Sequence, residues 1–250
     1  MSGHSKWASI KHKKAIVDSR RGQQFTKLAR AITVAARDGG GDPDANATLE
    51  NAIRKAKLSS MPKDNIERAI AKGAGAGGEG EAALETVLYE GYGPGGVALL
   101  VEAVTDNRNR TGADVRHAFS KHGGSLGEPG SVAYLFDKRG AIAVAAHKHS
   151  EEDLMAAVEA GAEDIASEDG SWEVLTAPAD LARVRSALEQ AGVEIERAEL
   201  EYRPSTLVPI DEAQAGRLMR LIEALEDSDD VGEVHANFDA PAELLERVAG

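Results

Sequence analysis

The chain has 250 residues, a formal net charge of −13 and no cysteine, and 42% of its residues are hydrophobic. This composition argues against a wholly disordered chain and against a mini-protein held by disulfides, and the length allows two or three domains. The lack of cysteine excludes thiolate chemistry and cysteine-based metal sites, and it fits a reducing compartment such as the cytoplasm. No window approaches the roughly 18 consecutive apolar residues of a membrane-spanning helix, so no membrane partner is expected.

The N-terminal segment is strongly basic. Its first 37 residues carry nine Lys or Arg against a single acid, Asp18. Residues 1–72 hold 15 Lys or Arg and 7 Asp or Glu, a net charge of +8, whereas residues 73–250 hold 14 and 35, a net charge of −21. A basic segment attached to an acidic body indicates that the segment binds a polyanion. The alternative is a charged helix face that is only solvated.

The predicted nucleic-acid contacts in this segment are its cations, the one aromatic residue among them and a neighbouring histidine. They are Lys6, Trp7, Lys11, His12, Lys13, Lys14, Arg20, Arg21, Lys27 and Arg30. Lysines suit phosphate groups as point charges. The same acid-poor composition also resembles a mitochondrial transit peptide, a second interpretation of the segment.

Three helices are predicted before the first long glycine-rich stretch. Apolar residues from Phe25 follow the period of one helix face until Gly39. A second helix opens near Asp44 to Asn46, and a third begins about Pro62 and ends near Gly73. Residues 73–80 are too rich in glycine to order themselves and indicate a linker. The sequence therefore predicts a small basic helical bundle followed by a hinge.

Residues 91–96 fit the G-x-G-x-x-G pattern of dinucleotide-binding proteins. In that fingerprint the third glycine leads into a helix, whereas here a β-rich apolar run follows at 97–104. The glycines instead predict a hairpin that joins strands 86–92 and 97–105.

Two arginines occupy the start of the next predicted helix, which Asp106 or Asn107 would cap. The N-terminus of a helix favours anions, so Arg108 and Arg110 are a second predicted phosphate contact. The alternative is that both pair with nearby carboxylates.

From residue 131 onward the pattern is a hairpin-like entry followed by β-α-β-β-α-β. The predicted elements are strands 132–136 and 140–145, helix 151–160, strands 163–168 and 171–176, helix 179–190 and strand 193–203. A later helix containing Leu218 and a strand at 232–238 would complete the unit that begins at 86–121, which makes residues 131–205 an insertion. We therefore predict an α+β chain in three parts: domain 1–78, the discontinuous domain 79–130 plus 206–250, and the inserted domain 131–205.

Motifs for catalysis, metal binding and cofactor binding are missing from the sequence. His117 and His122 are five residues apart, so they would lie on different sides of a helix, and the pair His147 and His149 has no further ligand nearby. We predict a non-enzymatic protein without a metal or cofactor. A hydrolase whose site assembles only in space is a weaker alternative.

Several motifs in this chain resemble those of the YebC family, which includes a mitochondrial translational activator. They are Gly3-His-Ser-Lys-Trp-Ala-Ser-Ile-Lys-His-Lys-Lys14, Phe25-Thr-Lys-Leu28, Pro62-Lys-Asp-Asn-Ile66, Tyr89-Glu-Gly-Tyr-Gly-Pro-Gly-Gly96, Thr105-Asp-Asn-Arg-Asn-Arg-Thr111 and Gly123-Gly-Ser-Leu-Gly127. The resemblance starts at residue 3, so we expect no removable presequence. It implies an N-terminal three-helix domain followed by two ferredoxin-like α+β domains around a cleft, one inserted in the other, and no enzymatic activity.

The resemblance also implies a function in gene expression, either as a probable DNA-binding transcriptional regulator or as a translation factor that acts on stalled ribosomes. We predict a cytoplasmic nucleic-acid-binding regulator, with DNA or ribosomal RNA as ligand and the ribosome as a candidate partner. A monomer is favoured, although the sequence leaves the oligomeric state open. The alternative is a protein-partner adaptor whose acidic cleft binds a basic protein or a nascent chain.

Overall fold

A computed structural model of the chain describes Trp7 and residues 18–76, 84–168 and 170–249. The described chain divides into two compact units, Phe136–Arg203 and the residues on either side of that segment. The predicted fold class is confirmed, since N-terminal helices precede two mixed helix and sheet arrangements. The domain boundaries at 78, 130 and 205 remain a prediction.

The α-helices are α1 (Asp18–Gly39), α2 (Ala47–Leu58), α3 (Lys63–Ala71), α4 (Arg108–Lys121), α5 (Met155–Glu159), α6 (Leu181–Gln190), α7 (Glu212–Glu226) and α8 (Ala242–Ala249). The strands are β1 (Glu85–Tyr92), β2 (Ala98–Thr105), β3 (Ser125–Leu126), β4 (Phe136–Ala145), β5 (Ala162–Glu168), β6 (Ser171–Thr176), β7 (Ile195–Pro204), β8 (Val208–Pro209), β9 (Val231–Ala236) and β10 (Phe238–Asp239).

Helices α1, α2 and α3 form the predicted bundle. Its core is apolar and includes Ile32, Leu49 and Ile66, each from a different helix. The Asn46 side chain accepts a hydrogen bond from Leu49 N at 3.1 Å, which caps α2. Gly73 does not end α3 as a simple cap, because a π-helical turn, Lys72–Ala76, continues from it. A Cβ at Gly73 would overlap the carbonyl oxygen of Thr33, so glycine is needed there for close packing on α1.

The first sheet lies in the same compact unit as the bundle. Its strand order is β3-β1-β2-β9, and its neighbouring strands run antiparallel. Helices α4 and α7 cover one face, where Leu99 and Val101 of β2 share a core with Phe119 and Leu218. The hairpin predicted around residues 93–96 is present. Helix α1 packs against β2 and β9, which places the bundle on this sheet.

The second sheet belongs to Phe136–Arg203 and has the order β5-β6-β4-β7. With helices α5 and α6 this is the ferredoxin-like β-α-β-β-α-β arrangement expected from the sequence. The prediction of two strands at 132–136 and 140–145 was wrong, since a 3₁₀ turn, Ala133–Leu135, leads into the single strand β4. Gly140 is paired within β4 rather than placed in a turn, and a Cβ there would overlap Thr176 Oγ1.

The C-terminal segment departs from the prediction at Asn237, which separates β9 from β10. Asn237 is 3% exposed, accepts a hydrogen bond from Ala98 N at 2.7 Å and donates one to Thr206 O at 3.0 Å. These bonds replace ladder contacts, and β10 then pairs in parallel with β8. Helix α8 was not predicted at all. Its Leu245 is fully buried in the core under the first sheet.

Candidate nucleic-acid interface

Half of the predicted N-terminal contacts lie outside the described residues, namely Lys6, Lys11, His12, Lys13 and Lys14. Arg20 and Arg21 belong to α1, but their side chains are also outside the description. Trp7 is described and is 3% exposed, in the core that contains Val97 and Leu99. Its indole has no open face for stacking on a base, so the structure favours Trp7 as an anchor of the N-terminus rather than as a nucleic-acid contact.

Two predicted contacts on α1 meet the acidic end of α7 and the start of β9. Lys27 Nζ donates to the carbonyl oxygen of Glu226. Arg30 forms an ion pair with Asp230 and donates a second hydrogen bond to the carbonyl oxygen of Asp229 at 2.9 Å. Both cations therefore hold the helical bundle on the first sheet in this structure. Their predicted role in nucleic-acid binding remains a prediction.

Asp230 is the centre of this contact, and no pattern in the sequence indicated it. Its side chain is 6% exposed and accepts hydrogen bonds from Arg110 at 2.8 Å, from Thr111 Oγ1 at 2.6 Å and from Thr105 Oγ1 at 3.3 Å, besides the pair with Arg30. Burial alone would raise the pKa of Asp230. The hydrogen bonds from Thr111, Arg110 and Arg30 outweigh burial and lower the pKa to about 2.

The two arginines at the start of α4 both have acidic partners. Arg110 lies 2.8 Å from Asp230 and 2.7 Å from Asp106, and Arg108 lies 3.6 Å from Glu85. Asn107 is the residue that caps α4, because its side chain accepts a hydrogen bond from Arg110 N at 3.1 Å. The structure thus shows the pairing that was the alternative for these arginines, and a phosphate ligand would have to compete with their carboxylates.

Two further cations of the bundle contact the first sheet. Lys55 of α2 forms an ion pair with Glu233 of β9, and Arg37 of α1 donates to the carbonyl oxygen of Leu84 just before β1. Lys27, Arg30, Arg37 and Lys55 thus join the bundle to the sheet. The sequence could predict their charge but not these partners, which lie 47 to 200 residues away along the chain.

Acid should loosen this contact. Asp230 has a folded pKa of about 2, below its ordinary 3.8, so its contribution to stability is present above pH 3.8 and is lost as the pH falls towards 2. The shift corresponds to about 2 kcal/mol. Urea unfolding of the full chain and of Asp230→Asn should differ by at least this amount at pH 6, and the difference should shrink by about 2 kcal/mol at pH 2. A difference in unfolding free energy that stays constant with pH would contradict the lowered pKa of Asp230 in the folded chain.

Two grooves flank this corner of the unit. One, of about 580 Å³, is lined by acidic side chains together with Arg30 and Arg110; the acids are Asp106, Asp114, Asp227, Asp229 and Asp230. The other, of about 640 Å³, includes the cations Arg30, Arg68 and Lys72. Among the described residues, no group of three or more acidic or histidine side chains is placed to hold a metal ion. None of the described helices is long and apolar enough to cross a membrane.

The fold and this site define a class of protein in which a cation-rich helical bundle precedes two mixed helix and sheet arrangements. Residues 5–76 match the family described as "TACO1/YebC protein N-terminal domain", and residues 84–238 match "TACO1/YebC second and third domain". The chain therefore belongs to the TACO1/YebC family, which confirms the resemblance seen in the sequence.

Relatives in two bacteria match the chain over its whole length. A protein of Rubrobacter xylanophilus is 54% identical over 251 residues and one of Thermobifida fusca is 54% identical over 252 residues, with all of both chains covered in each case. Both are named "Probable transcriptional regulatory protein". The crystal structure of a conserved hypothetical protein from Aquifex aeolicus is similar at a TM-score of 0.79 and 50% identity, covering 90% of this chain and 93% of that one.

Proposed function

We propose that this protein is a non-enzymatic regulator of gene expression that binds RNA, with the ribosome as its site of action. One observation carries the proposal: residues 1–72 have a net charge of +8 and the rest of the chain has −21. An acidic body repels phosphate, so the polyanion contact is confined to the N-terminal segment and to local basic patches.

The preference for RNA rests on how the cations are used. Readers of DNA sequence insert a helix or ribbon whose side chains reach base edges. In this chain, by contrast, the cationic side chains of Lys27, Arg30 and Lys55 contact the protein itself. Their partners are the carbonyl oxygen of Glu226 and the carboxylates of Asp230 and Glu233. The N-terminal segment also carries Lys6, Lys11, Lys13 and Lys14. Lysines suit phosphates as point charges, and phosphate contacts position a protein without reading sequence.

The names of the relatives favour a role in gene expression, and they make promoter DNA the competing ligand. Fluorescence anisotropy of the full chain with a labelled RNA hairpin, single-stranded RNA and duplex DNA of equal length would separate the two. We expect RNA to bind at least about tenfold tighter than duplex DNA, with log-log salt slopes near −0.7 per phosphate contact on single strands. A DNA sequence bound about a thousandfold tighter than random duplex would contradict the proposal.

A second candidate function rests on the acidic groove. The side chains of Asp114, Asp227 and Asp229 line it and have no ion pair or hydrogen bond within the described part of the chain. Such a surface is complementary to a basic protein or nascent chain. This function can be tested by cross-linking the wild-type chain to its partners in lysate. The comparison is the triple variant Asp114→Asn/Asp227→Asn/Asp229→Asn, which removes the charge of the groove. A specific basic partner lost in the variant would support the adaptor function, and an unchanged cross-linking pattern would contradict it.

A further inference from the structure

One arginine of the helical bundle is held in place without a carboxylate partner. Arg68 of α3 donates from Nε to the carbonyl oxygen of Asp64 at 3.1 Å and from Nη2 to Oδ1 of Asn65. Both acceptors are neutral, and no carboxylate pairs with Arg68 among the described residues. Arg30, by contrast, pairs with the buried Asp230. The exposed Arg68 guanidinium is therefore oriented by the protein while its charge stays available to an outside anion.

Arg68 lines the groove of about 640 Å³ described above, to which α1 and α3 both contribute side chains. The α3 residues that line it are Asn65, Arg68, Ala69 and Lys72. Residues at this three- and four-residue spacing share one face of a helix. Arg68 and Lys72 therefore place two positive charges along a single groove.

Helices α1 and α3 run in the same direction along this groove. Gln24 of α1 donates from Nε2 to Ser59 Oγ at 3.1 Å, shortly before α3 begins. Further along α1, Thr33 donates from Oγ1 to the carbonyl oxygen of Ala69 at 3.2 Å. The groove therefore has a first end near Gln24 and Ser59 and a second end near Thr33 and Ala69.

Apolar side chains lie at the first end of the groove, and cations lie towards the second. Phe25 is half-buried against the bundle core, Met61 is buried in that core, and both line the groove at its first end. Arg68 and Lys72 flank Ala69 at the second end. An aromatic ring and two cations thus share one groove, a combination that suits a base and a phosphate of one nucleic-acid strand.

The groove between α1 and α3 has little acidic lining. Asp106 is the one acid among the described residues that line it, and Asp106 lies 2.7 Å from Arg110 in an ion pair. The α3 acids Asp64 and Glu67 do not line it. The neighbouring acidic groove is lined by five aspartates. The groove between α1 and α3 is therefore better suited to an anion than its neighbour.

We propose that the groove between α1 and α3 binds single-stranded RNA, with a phosphate at Arg68 and Lys72 and a base against Phe25. Unpaired bases stack on aromatic side chains, and arginine donates to phosphate oxygens in parallel pairs of hydrogen bonds. The groove volume falls within the range of about 300–1,000 Å³ typical of small-ligand sites, which accommodates a nucleotide. The inference rests on the proposed function for its ligand class and adds the place at which the bundle holds the strand.

A duplex fits this groove less well than a single strand does. The bases of a duplex are paired and stacked in its interior, so that none can reach Phe25 between two helices. An acidic peptide could reach Arg68 and Lys72, but it carries no base to stack on Phe25. The dependence of binding on bases therefore separates RNA from an acidic protein partner.

The first test compares two variants of the full chain that lose the same charge. R68A/K72A removes the cations of the groove, and K57A/K63A removes two exposed lysines of the bundle that do not line it. With a labelled single-stranded RNA of about 20 nucleotides at about 0.1 M salt, R68A/K72A should bind at least about tenfold more weakly. Its salt slope should be smaller by about 1.4, since each phosphate contact on a single strand contributes about 0.7. The control should stay within about threefold of wild type, and equal losses in the two variants would overturn the groove.

The second test addresses the base. Phe25→Leu should weaken binding of the same RNA by about fivefold or more, because it removes the ring on which a base stacks. It should leave binding of an equally long abasic oligonucleotide unchanged, and Phe25→Tyr should bind RNA as wild type does. Wild-type affinity of Phe25→Leu for the RNA would overturn the base contact. Melting temperatures identify any Phe25 variant that fails to fold, and the exposed pair R68A/K72A then decides.

The remaining outcomes separate this inference from the proposed function. If R68A/K72A binds RNA as the control does while K6A/K11A/K13A/K14A loses affinity, the groove is wrong and the proposed function stands. An acidic peptide bound as tightly as the RNA, and weakened by the same factor in R68A/K72A, would overturn the assignment of the groove to RNA. A wild-type chain that binds no RNA would overturn both proposals.

Discussion

Replacing Lys6, Lys11, Lys13 and Lys14 together by alanine is expected to lower RNA affinity by about two to three orders of magnitude at about 0.1 M salt. Each phosphate contact on a single strand adds about 0.7 to the slope of log affinity against log salt, so four lost contacts remove about three decades between about 1 M and 0.1 M salt. Anisotropy titrations of the full chain at several salt concentrations would measure both the affinity and the slope.

The matched control is R139A/K148A/R183A/R197A, which changes the net charge equally. These four cations lie on the surface of the unit Phe136–Arg203 and have carboxylate partners, and such surface pairs contribute little to stability. Wild-type affinity and slope in the control, with both reduced in the N-terminal variant, is the expected result. Equal losses in the two variants would mean that only the overall charge matters.

Point substitutions are a cleaner test than deletion of residues 1–72. Trp7 is 3% exposed in the core under the first sheet, and its removal would open that core. Deletion would also leave Asp230 and Glu233 without their partners on α1 and α2. Any loss of binding by a truncated chain would therefore mix lost charge with lost structure.

Asp230→Asn is expected to lower the free energy of unfolding of the full chain by about 3 kcal/mol at pH 7. The substitution removes a charge that is 6% exposed and leaves Arg30 and Thr111 beside a neutral amide. Removing one partner of a buried pair costs about 3–5 kcal/mol, and the partial exposure of Arg110 lowers the expected value to the bottom of that range. Urea unfolding followed by circular dichroism measures it.

Asp229→Asn is the control, because it removes the same charge one residue away from an exposed side chain. It should change stability by less than about 0.5 kcal/mol. A double-mutant cycle of Asp230→Asn with Arg30→Ala should give a coupling of about 1 kcal/mol or more, since the two side chains interact directly. Additive effects, or equal losses for Asp229→Asn and Asp230→Asn relative to wild type, would show that Asp230 does not hold the bundle on the sheet.

The elements that were predicted correctly are those that residues close together in the sequence determine. The period of apolar residues from Phe25 indicated α1, and the glycines at 93–96 join β1 to β2. The second helix was predicted to open near Asp44 to Asn46, and in the structure the side chain of Asn46 caps it. The order of strands and helices after residue 131 gave the β-α-β-β-α-β succession, and the family resemblance implied its ferredoxin-like fold. In each case a few adjacent residues carry the information.

The predicted bounds of β4 and β9 were wrong because they depend on residues whose contacts are distant in the sequence. Gly140 resembles a turn residue, but it lies within β4 and pairs with Thr176 of β6. Glycine is needed there because Thr176 leaves no room for a Cβ. Asn237 resembles an ordinary strand residue, yet its side chain bonds to Ala98 and Thr206 and ends β9. Glu90, which is 6% exposed, accepts hydrogen bonds from three backbone amides of the loop at 130–133. Nothing near Glu90 in sequence indicates this burial.

The candidate site shows the same limit. The cations of the N-terminal segment could be predicted from charge, but Asp230 is 200 residues from Arg30. Whether a cation faces a ligand or a carboxylate is decided by tertiary pairing, which a single sequence does not reveal. Arg108 and Arg110 were predicted as contacts and have acidic partners, whereas Arg217 and Arg220 attracted no prediction and have no partner among the described residues.

The central claim is that the protein acts on RNA at the ribosome, and sedimentation tests it most directly. Lysate from cells that contain the wild-type chain, or the K6A/K11A/K13A/K14A variant, would be run through a sucrose gradient at near-physiological salt, and footprinting on genomic DNA would be done in parallel. We expect the wild type to sediment with ribosomal particles, the variant to stay at the top of the gradient, and no discrete DNA footprint to appear. Wild-type protein at the top of the gradient, together with a promoter footprint at least about a thousandfold tighter than random DNA, would contradict it.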